Sequence, residues 1–375
     1  MTYPLPFITQ QSQSRVPRPF IKGFSTEAIQ CATESPAYAG PNLSKWFRTQ
    51  RKLGSRDRRI VSEIVYTLIR FEDWFVQAKL LTEPLHTDSD LQTVFEWMHT
   101  PSITPQFDLA THLSVPKDLL DTIGDIPQPT VFAEHHQKRA PIDIRCNPLR
   151  MSRSRLLQKL KHRGIEGHPI PNTSHGIRIV GTANIIGEPL FNQGAFEVQD
   201  AASQYFIESL SPFITPQTTV LDYCAGAGGK ALALAALGAK VYAHDPRSKA
   251  IEQLVKRAKR ANLPIQIGMP NKPVDMVLVD APCSGSGRLR REPTVRWKWT
   301  AQPPLDWVPV QSEILHSASQ FVKRNGLIAY ATCSILPQEN QHTLQGWKPT
   351  RNTIFGHESN CDGFSWTLFQ SEDRP

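Results

Sequence analysis

Short apolar runs alternate with amphipathic helical segments through the second half of the chain. Runs of strand length begin at Thr219, Lys240, Val274 and Gly326, and segments whose apolar residues recur every three or four positions lie between them. Strands that alternate with helices predict a parallel sheet with helices packed on its faces. We therefore predict that residues 199–375 form a Rossmann-like α/β domain with a doubly wound, mostly parallel sheet.

The pattern before residue 199 divides the chain further. Residues 1–24 are interrupted by prolines and are predicted to be extended. Residues 25–135 show apolar residues at helical spacing and are predicted to form a helical N-terminal domain. Residues 136–198 follow the order strand, helix, strand, which predicts a small α/β module of the RRM-like kind.

The clearest helix of the N-terminal part follows Ser55, which is placed to cap it. The turn before it is densely basic, and the formal net charge of the chain is +8. A polyanionic partner such as RNA fits this charge, although a solvated helix surface is an equally good interpretation of the turn. The candidates for RNA contact in this turn are Arg48, Arg51 and Arg56.

Composition indicates a globular protein without a membrane span. Apolar residues make up 39% and charged residues 20% of the 375 positions, and no apolar run approaches the length needed to cross a bilayer. The six cysteines are scattered without Cys-x-x-Cys pairs, which argues against a zinc site or a disulfide framework. The N-terminus lacks the apolar core of a secretory signal. We predict a cytoplasmic monomer without a bound metal.

A glycine-rich loop follows the strand that begins at Thr219. Residues 222–230 read Asp-Tyr-Cys-Ala-Gly-Ala-Gly-Gly-Lys, and Asp245 ends the next strand. Such a loop lets a ligand approach the backbone, and an acid at the end of the next strand accepts hydrogen bonds from ribose hydroxyls. The pattern predicts an adenosine-containing ligand. The third glycine of the dinucleotide fingerprint is not clearly present and Asp222 precedes the loop, which favours S-adenosylmethionine over NAD.

Two later strands end in loops that contain cysteine. The apolar run 277–279 leads into Asp280 and Cys283, and the strand that begins at Gly326 leads into Cys333. Ligands of open α/β sheets gather outside the carboxyl ends of the strands, so an acid and two thiols there are candidates for catalysis. Each thiol taken alone could also be a buried packing residue. Strand order does not say which of the two would be the nucleophile.

These motifs, in this order, resemble the Nop/Sun family of S-adenosylmethionine-dependent RNA cytosine-5 methyltransferases, and within it the bacterial Sun subgroup, which modifies small-subunit ribosomal RNA. The resemblance covers roughly residues 46–364. It rests on residues 196–204, on the glycine loop 222–230, on 280–287 with Arg290, Arg291, Pro293 and Trp297, on 330–334 with Pro337, Glu339 and Asn340, and on 362–364.

The resemblance implies methyl transfer to carbon-5 of a cytosine through a covalent cysteine adduct. It implies that Cys333 is the nucleophile, that Cys283 assists release, that Asp280 hydrogen-bonds the cytosine and that Lys230 acts electrostatically. Arg290 and Arg291, beside the catalytic loop, are further candidates for RNA contact. The predicted cofactor-binding residues are Asp222, Cys224, Ala225, Gly226, Ala227, Gly228, Gly229, Lys230, Asp245, Arg247 and Asp280.

The sequence departs from the family pattern at two places in the cofactor site. Ala227 and Ala231 replace a usual proline and a usual hydroxyl residue, and residues 264–273 lack the usual acid near the adenine. These departures motivate a second hypothesis, a methyltransferase-like RNA-binding or assembly factor with weak or no catalysis. An NAD-dependent oxidoreductase also fits the Rossmann pattern but gives the paired thiols no role.

Overall fold

Two compact units make up the chain. A computed structural model describes residues 19–34, 39–77, 117–301, 307–341, 344 and 350–373. The first unit contains residues 1–139 together with 288–305, and the second contains residues 140–287 together with 306–375. The chain therefore leaves the second unit after Gly287 and returns to it at Asp306. The predicted four-segment division of the chain remains a prediction.

The helices of the first unit are joined by turns and irregular segments, and no strand is found among its described residues. Its helices are α1 (Pro19–Thr33), α2 (Ala39–Thr49), α3 (Ser55–Arg70), α4 (Glu72–Gln77), α5 (Lys117–Ile123), α6 (Pro129–Gln137) and, from the inserted segment, α12 (Val295–Ala301). Val61, Ile64 and Leu68 of α3 are buried at helical spacing in a core that also contains Trp297 of α12. Predictions for residues 1–18 and 78–116 fall outside the described residues.

Two local expectations for this unit are wrong. Residues 19–24 form the first turns of α1 rather than an extended segment, because proline is well tolerated in the first turn of a helix, where its missing N–H has no partner to lose. Ser55 is the first residue of α3 rather than its cap. Gly54 stands at the cap position, and no side chain caps the helix there.

The second unit begins with a four-stranded antiparallel sheet. Its strands, in the spatial order β2-β3-β1-β4, are β1 (Ile142–Cys146), β2 (Gly167–Pro169), β3 (Gly176–Ile179) and β4 (Phe196–Val198). Helix α7 (Arg153–His162) packs Leu156 and Leu160 against one face of this sheet. The hydroxyl of Ser152 caps α7 by accepting from the backbone N–H of Arg155. A short helix α8 (Pro189–Asn192) precedes β4.

The opposite face of the small sheet is charged and covered. Asp143 and Arg145 of β1 and Glu197 of β4 are all buried. Arg178 of β3 donates from Nε and Nη2 to the two carboxylate oxygens of Asp143, at 2.8 Å each. Buried charges are tolerated when they are paired and hydrogen-bonded, and here Arg178 pairs with Asp143 and Arg257 pairs with Glu197.

A seven-stranded sheet forms the body of the second unit, in the order β10-β11-β9-β8-β5-β6-β7. Strands β5 to β9 run parallel, and β10 and β11 are antiparallel additions at one edge. This confirms the predicted mostly parallel Rossmann-like sheet. The strands are β5 (Thr219–Asp222), β6 (Lys240–Ala243), β7 (Ile265–Ile267), β8 (Val274–Asp280), β9 (Val322–Thr332), β10 (Thr350–Ile354) and β11 (Phe364–Gln370).

Helices cover both faces of this sheet, with a separate apolar core on each side. They are α9 (Ala201–Leu210), α10 (Gly229–Ala236), α11 (Ser248–Ala261), α13 (Trp307–Ser319) and α14 (Pro337–Gln341). The strands β5, β8 and β9 are direct neighbours, with Asp222 opposite Leu278 and Asp280 opposite Ala331. Because parallel strands end at the same edge of a sheet, this register brings the three predicted loops together.

Candidate active site

The glycine loop turns sharply between β5 and α10. Gly226 has φ +54° and Gly228 has φ +83°, in the left-handed region that side chains disfavour. At Gly228 a Cβ atom would also lie 2.6 Å from Cγ of Leu254, so any larger residue there would clash with Leu254. The loop therefore presents backbone rather than side chains toward the end of the sheet, which suits close approach by a ligand.

Asp222 is a buried carboxyl at the start of this loop. Neither of its carboxylate oxygens has a hydrogen-bond partner of ordinary geometry among the described residues. Burial, followed by the nearby Asp280, raises the pKa of Asp222 to about 8. A buried acid without partners at a loop edge is expected where a ligand supplies the missing partner.

Asp245 lies at the end of β6, as an acid that binds ribose would. The backbone N–H of Gly226 donates to its Oδ2 at 2.9 Å. Arg247 donates to Oδ1 from its backbone N at 2.9 Å and from Nε at 2.8 Å, and to Oδ2 from Nη2 at 2.8 Å. Burial raises the pKa of Asp245, but these hydrogen bonds outweigh it and the net pKa is below the ordinary value.

The two predicted thiols meet. Sγ of Cys283 and Sγ of Cys333 are 3.3 Å apart, and neither cysteine forms a disulfide. The hydrogen bond with Cys333, together with burial, raises the pKa of Cys283 well above its usual value. The two sulfurs lie within hydrogen-bonding distance, an arrangement in which one thiol can stabilise a thiolate on the other.

Lys230 and Asp280 form an ion pair beside the thiol loops. Nζ of Lys230 donates to Oδ2 of Asp280 at 2.6 Å. The lysine is buried at the start of α10 and lies 5.1 Å from the centre of the Phe364 ring, which fixes it further. The Asp280 side chain keeps 33% of its surface exposed, so its carboxylate is accessible to a substrate.

A buried polar network fastens the two thiol loops to each other. Both carboxylate oxygens of Glu339, in α14, accept from the backbone N–H of Ser284, at 3.2 Å each. The hydroxyls of Ser286 and Ser334 are 3.0 Å apart and join the two loops. The sequence singled out Glu339 as part of a motif but gave it no role, since only its position after Cys333 marks it.

The residues predicted to contact RNA separate into two groups. Arg48, Arg51 and Arg56 are exposed at the turn between α2 and α3. Arg290 is buried, and it donates from Nη2 to the carbonyl of Arg139 at 2.9 Å and from Nε to that of Lys138 at 3.3 Å. A guanidinium committed to main-chain carbonyls inside the first unit stabilises that unit, so we remove Arg290 from the predicted RNA contacts.

Neither a metal centre nor a membrane span is found in the described part of the chain. Its histidine, cysteine, aspartate and glutamate side chains form no group of three or more that could hold a metal ion. Among the helices described, none is both long enough and apolar enough to cross a bilayer.

Comparison with known families gives two matches. Residues 210–364 match the family model described as 16S rRNA methyltransferase RsmB/F. Residues 129–186 match the model described as Methyltr_RsmF/B-like, ferredoxin-like domain. Together the two matches span more than half of the chain.

Individual proteins agree with these matches. Ribosomal RNA small subunit methyltransferase B of Photorhabdus laumondii is 32% identical over 217 residues, which are 55% of this chain and 50% of that protein. The chain spans about half the length of the curated relatives it matches.

Two solved structures share the fold. The crystal structure of PH0851 has a TM-score of 0.74 at 20% identity and covers 95% of this chain and 99% of its own. That of NSun6 from Pyrococcus horikoshii with SFG has a TM-score of 0.60 at 14% identity and covers 68% and 98%. The family matches and the ordered motifs agree with this shared fold, and the chain belongs to the Nop/Sun family, on its RsmB/F (Sun) side.

Proposed function

We propose that the protein transfers a methyl group from S-adenosylmethionine to carbon-5 of a cytosine in small-subunit ribosomal RNA. The observation that carries this proposal is the pair of sulfurs of Cys283 and Cys333, 3.3 Å apart. The glycine loop and the Lys230–Asp280 ion pair lie at the same edge of the sheet. Support for the RNA class comes from the relatives, which are called ribosomal RNA small subunit methyltransferase B.

Carbon-5 of cytosine is too weak a nucleophile to accept a methyl group unaided. A thiolate that adds to carbon-6 opens the 5,6 double bond and makes carbon-5 electron-rich. We assign this addition to Cys333, as the family resemblance implies. Its thiol first gives its proton to water, and the Cys283 thiol, 3.3 Å away, can donate a hydrogen bond to the resulting thiolate. S-adenosylmethionine supplies the electrophilic methyl group. Loss of the carbon-5 proton then restores the double bond and expels the thiolate of Cys333.

Cys283 is suited to the release step. Its pKa is raised first of all by the hydrogen bond with Cys333. Once the sulfur of Cys333 is bonded to carbon-6, Cys333 can no longer hold that proton in place, and the largest cause of the raised pKa is gone. Cys283 can then give its own proton to water and, as a thiolate, accept the one from carbon-5.

The remaining site residues hold the two substrates. Asp280, fixed by Lys230, offers a carboxylate that can accept a hydrogen bond from the exocyclic amino group of the cytosine, beside N3. Asp222, buried and with no hydrogen-bond partner of ordinary geometry among the described residues, fits the cationic amino-acid end of S-adenosylmethionine. Asp245 is placed to accept hydrogen bonds from its ribose hydroxyls in exchange for those from the Arg247 guanidinium. Cys224, Ala225, Ala227 and Gly229 remain predicted backbone contacts of the same loop.

RNA contact by the small sheet would have to use its helical side. RRM-type modules bind RNA through the exposed face of their sheet, but here that face carries the buried Asp143, Arg145 and Glu197. On the other side, residues 147–165 contain no acidic residue. Four cations of this stretch are exposed and have no ion-pair partner among the described residues: Arg150, Arg155, Lys159 and Lys161.

Methyl transfer to small-subunit ribosomal RNA from a strain that lacks the protein tests the proposal. Wild-type protein with radiolabelled S-adenosylmethionine should label that RNA, and bisulfite sequencing should locate one new 5-methylcytosine. Cys333→Ala should give no transfer. Cys283→Ala should trap a protein–RNA adduct that survives a denaturing gel. Normal turnover by Cys283→Ala would contradict the two-thiol scheme.

A second candidate, an RNA-binding assembly factor without catalysis, is favoured by one feature. The segment after β7, Gly268 to Pro273, contains no acid to contact an adenine. Titration calorimetry with S-adenosylmethionine separates the two functions. An enzyme should bind it with a micromolar dissociation constant, whereas an absence of binding heat together with intact RNA binding would favour the assembly factor.

A further inference from the structure

Two carbonyl oxygens of the cofactor loop are held by side chains from outside the loop. Nη1 of Arg257, in α11, donates to the carbonyl of Ala227 at 2.6 Å. Nε2 of Gln199, just after β4, donates to the carbonyl of Gly229 at 3.3 Å. Ala227 lies between Gly226 and Gly228, whose freedom would otherwise leave the loop loosely defined.

Both donors are in turn held by the small sheet. Nε and Nη2 of Arg257 donate to Oε2 of Glu197, at 3.2 and 3.0 Å. Nε of Arg145 donates to Oε1 of Gln199 at 2.7 Å. Glu197 and Arg145 face each other across β4 and β1. Two short chains of hydrogen bonds therefore run from paired residues of the small sheet to the cofactor loop.

Because these groups are buried, the hydrogen bonds between the small sheet and the cofactor loop require well-defined side-chain positions. Glu197 is 4% exposed and Arg145 is 5% exposed. A buried carboxylate must be compensated by well-placed donors, so Glu197 fixes the position of any guanidinium that pairs with it. Arg257 has all three of its nitrogens engaged, two with Glu197 and one with the loop. The guanidinium thus joins β4 to Ala227 through hydrogen bonds of fixed geometry.

We propose that Arg257, held by Glu197, is a positioning residue for the cofactor loop, so that strand β4 of the small sheet belongs functionally to the cofactor site. The inference rests on the proposed use of S-adenosylmethionine. A loop held in its binding conformation loses less freedom when the ligand arrives, and affinity rises accordingly. The small sheet then acts on the cofactor as well as on RNA.

Arg260 provides a matched control. Its Nη2 also pairs with Glu197, and its guanidinium lies over the Phe191 ring, but no hydrogen bond from it to the loop is found. Arg257→Gln and Arg260→Gln each remove one cation from the same carboxylate. We expect Arg257→Gln to weaken S-adenosylmethionine binding about tenfold and Arg260→Gln by less than about twofold. Glu197→Gln, which frees Arg257, should resemble Arg257→Gln.

Three measurements on the full chain test the inference. Titration calorimetry gives the dissociation constant for S-adenosylmethionine, and steady-state kinetics should show a raised KM for it with an unchanged KM for RNA. Hydrogen–deuterium exchange of residues 224–229 without cofactor should be faster in Arg257→Gln than in Arg260→Gln. Because hydrogen–deuterium exchange needs no ligand, it tests whether Arg257 holds the loop even if the wild-type protein does not bind S-adenosylmethionine. Failure of the wild-type protein to bind S-adenosylmethionine would contradict the proposed function and leave the role of Arg257 in the loop to be decided by the exchange data.

The competing possibility is that Arg257 merely stabilises the fold. In that case both arginine variants would lower the melting temperature alike and shift cofactor affinity and loop exchange alike, and the inference would be overturned. If Arg257→Gln does not fold, Arg257→Lys keeps one donor and the charge. It should then bind cofactor more weakly than Arg260→Lys while melting at a similar temperature.

Discussion

Asp245 has no hydrogen-bonding capacity left for a ribose. A carboxylate can accept about four hydrogen bonds, and Arg247 with Gly226 already supplies four. The Arg247 side chain is 72% exposed, so it can leave at little cost. We infer that the guanidinium competes with the ribose hydroxyls, whereas the sequence suggested only that Arg247 contacts the cofactor.

Removal of this competitor should therefore strengthen cofactor binding. The guanidinium of this pair is exposed although Asp245 is buried. If the guanidinium contributes the roughly 0.2 to 1 kcal/mol of a surface ion pair, about the least it can contribute, Arg247→Gln should tighten binding of S-adenosylmethionine by at least about 1.4- to 5-fold. Asp245→Asn should weaken it. Titration calorimetry at low salt measures both. Weaker binding by Arg247→Gln would instead mean that the arginine contacts the cofactor directly.

Asp222 should make stability depend on pH. Its pKa is raised to about 8 from 3.8, so the native chain keeps a proton that the unfolded chain loses above pH 4. The contribution of Asp222 to the free energy of unfolding is therefore fully present below pH 4. It falls by about 1.4 kcal/mol per pH unit as the pH rises from 4 to 8. Asp222→Asn, which cannot ionise, should become increasingly more stable than wild type between pH 5 and pH 8.

Urea denaturation without cofactor measures this difference, and Asp275→Asn is its control. Burial raises the pKa of Asp275, but hydrogen bonds from Lys323 and Thr219 outweigh it and lower the pKa to about 2. Its contribution is lost only as the pH falls below 4, so the difference between Asp275→Asn and wild type should stay constant from pH 5 to pH 8. A constant difference for Asp222→Asn as well would contradict the raised pKa of Asp222.

At the scale of elements, α7 is the surface that we expect to meet the RNA backbone. Lys159→Gln with Lys161→Gln should weaken RNA binding and reduce the slope of log K against log salt by about 0.7 to 0.9 per lost phosphate contact. Lys240→Gln with Lys272→Gln removes the same charge from exposed positions, the first residue of β6 and a residue just before β8. Filter binding at several salt concentrations compares the pairs, and equal slopes would exclude α7.

The elements show what sequence alone can predict. Helix α11 (Ser248–Ala261) is one of the helical segments predicted between the strands, because its apolar period is local, and Asn262 in the left-handed region ends it. The antiparallel strands β10 and β11 were not predicted, since strand direction depends on which neighbour a strand pairs with. The meeting of Cys283 and Cys333 followed from strand-end positions, whereas the link from Glu197 to Ala227 depends on side-chain geometry that no local pattern encodes.

At the scale of the whole molecule, the path of the chain between its two units predicts that the second unit aggregates when it is produced without the first. Residues 288–305 interrupt the second unit and fold with the first. There Trp297 is buried in the first unit's core, and Arg290 donates to the carbonyls of Lys138 and Arg139. A chain that begins at Ala140 keeps this segment without its partners, and we expect it to expose apolar surface and aggregate.

Replacement of residues 289–304 in that shortened chain by a Gly/Ser linker of equal length should prevent the aggregation. The linker carries no apolar surface, and the residues assigned to the cofactor, Asp222, Asp245 and Arg257 among them, all lie in the second unit. Light scattering should then show a monodisperse protein, and calorimetry should give cofactor affinity close to that of the full chain. Methylation of RNA should stay low because the basic turn of the first unit is missing. A shortened chain that stays monodisperse with its natural segment would show that residues 288–305 do not need the first unit.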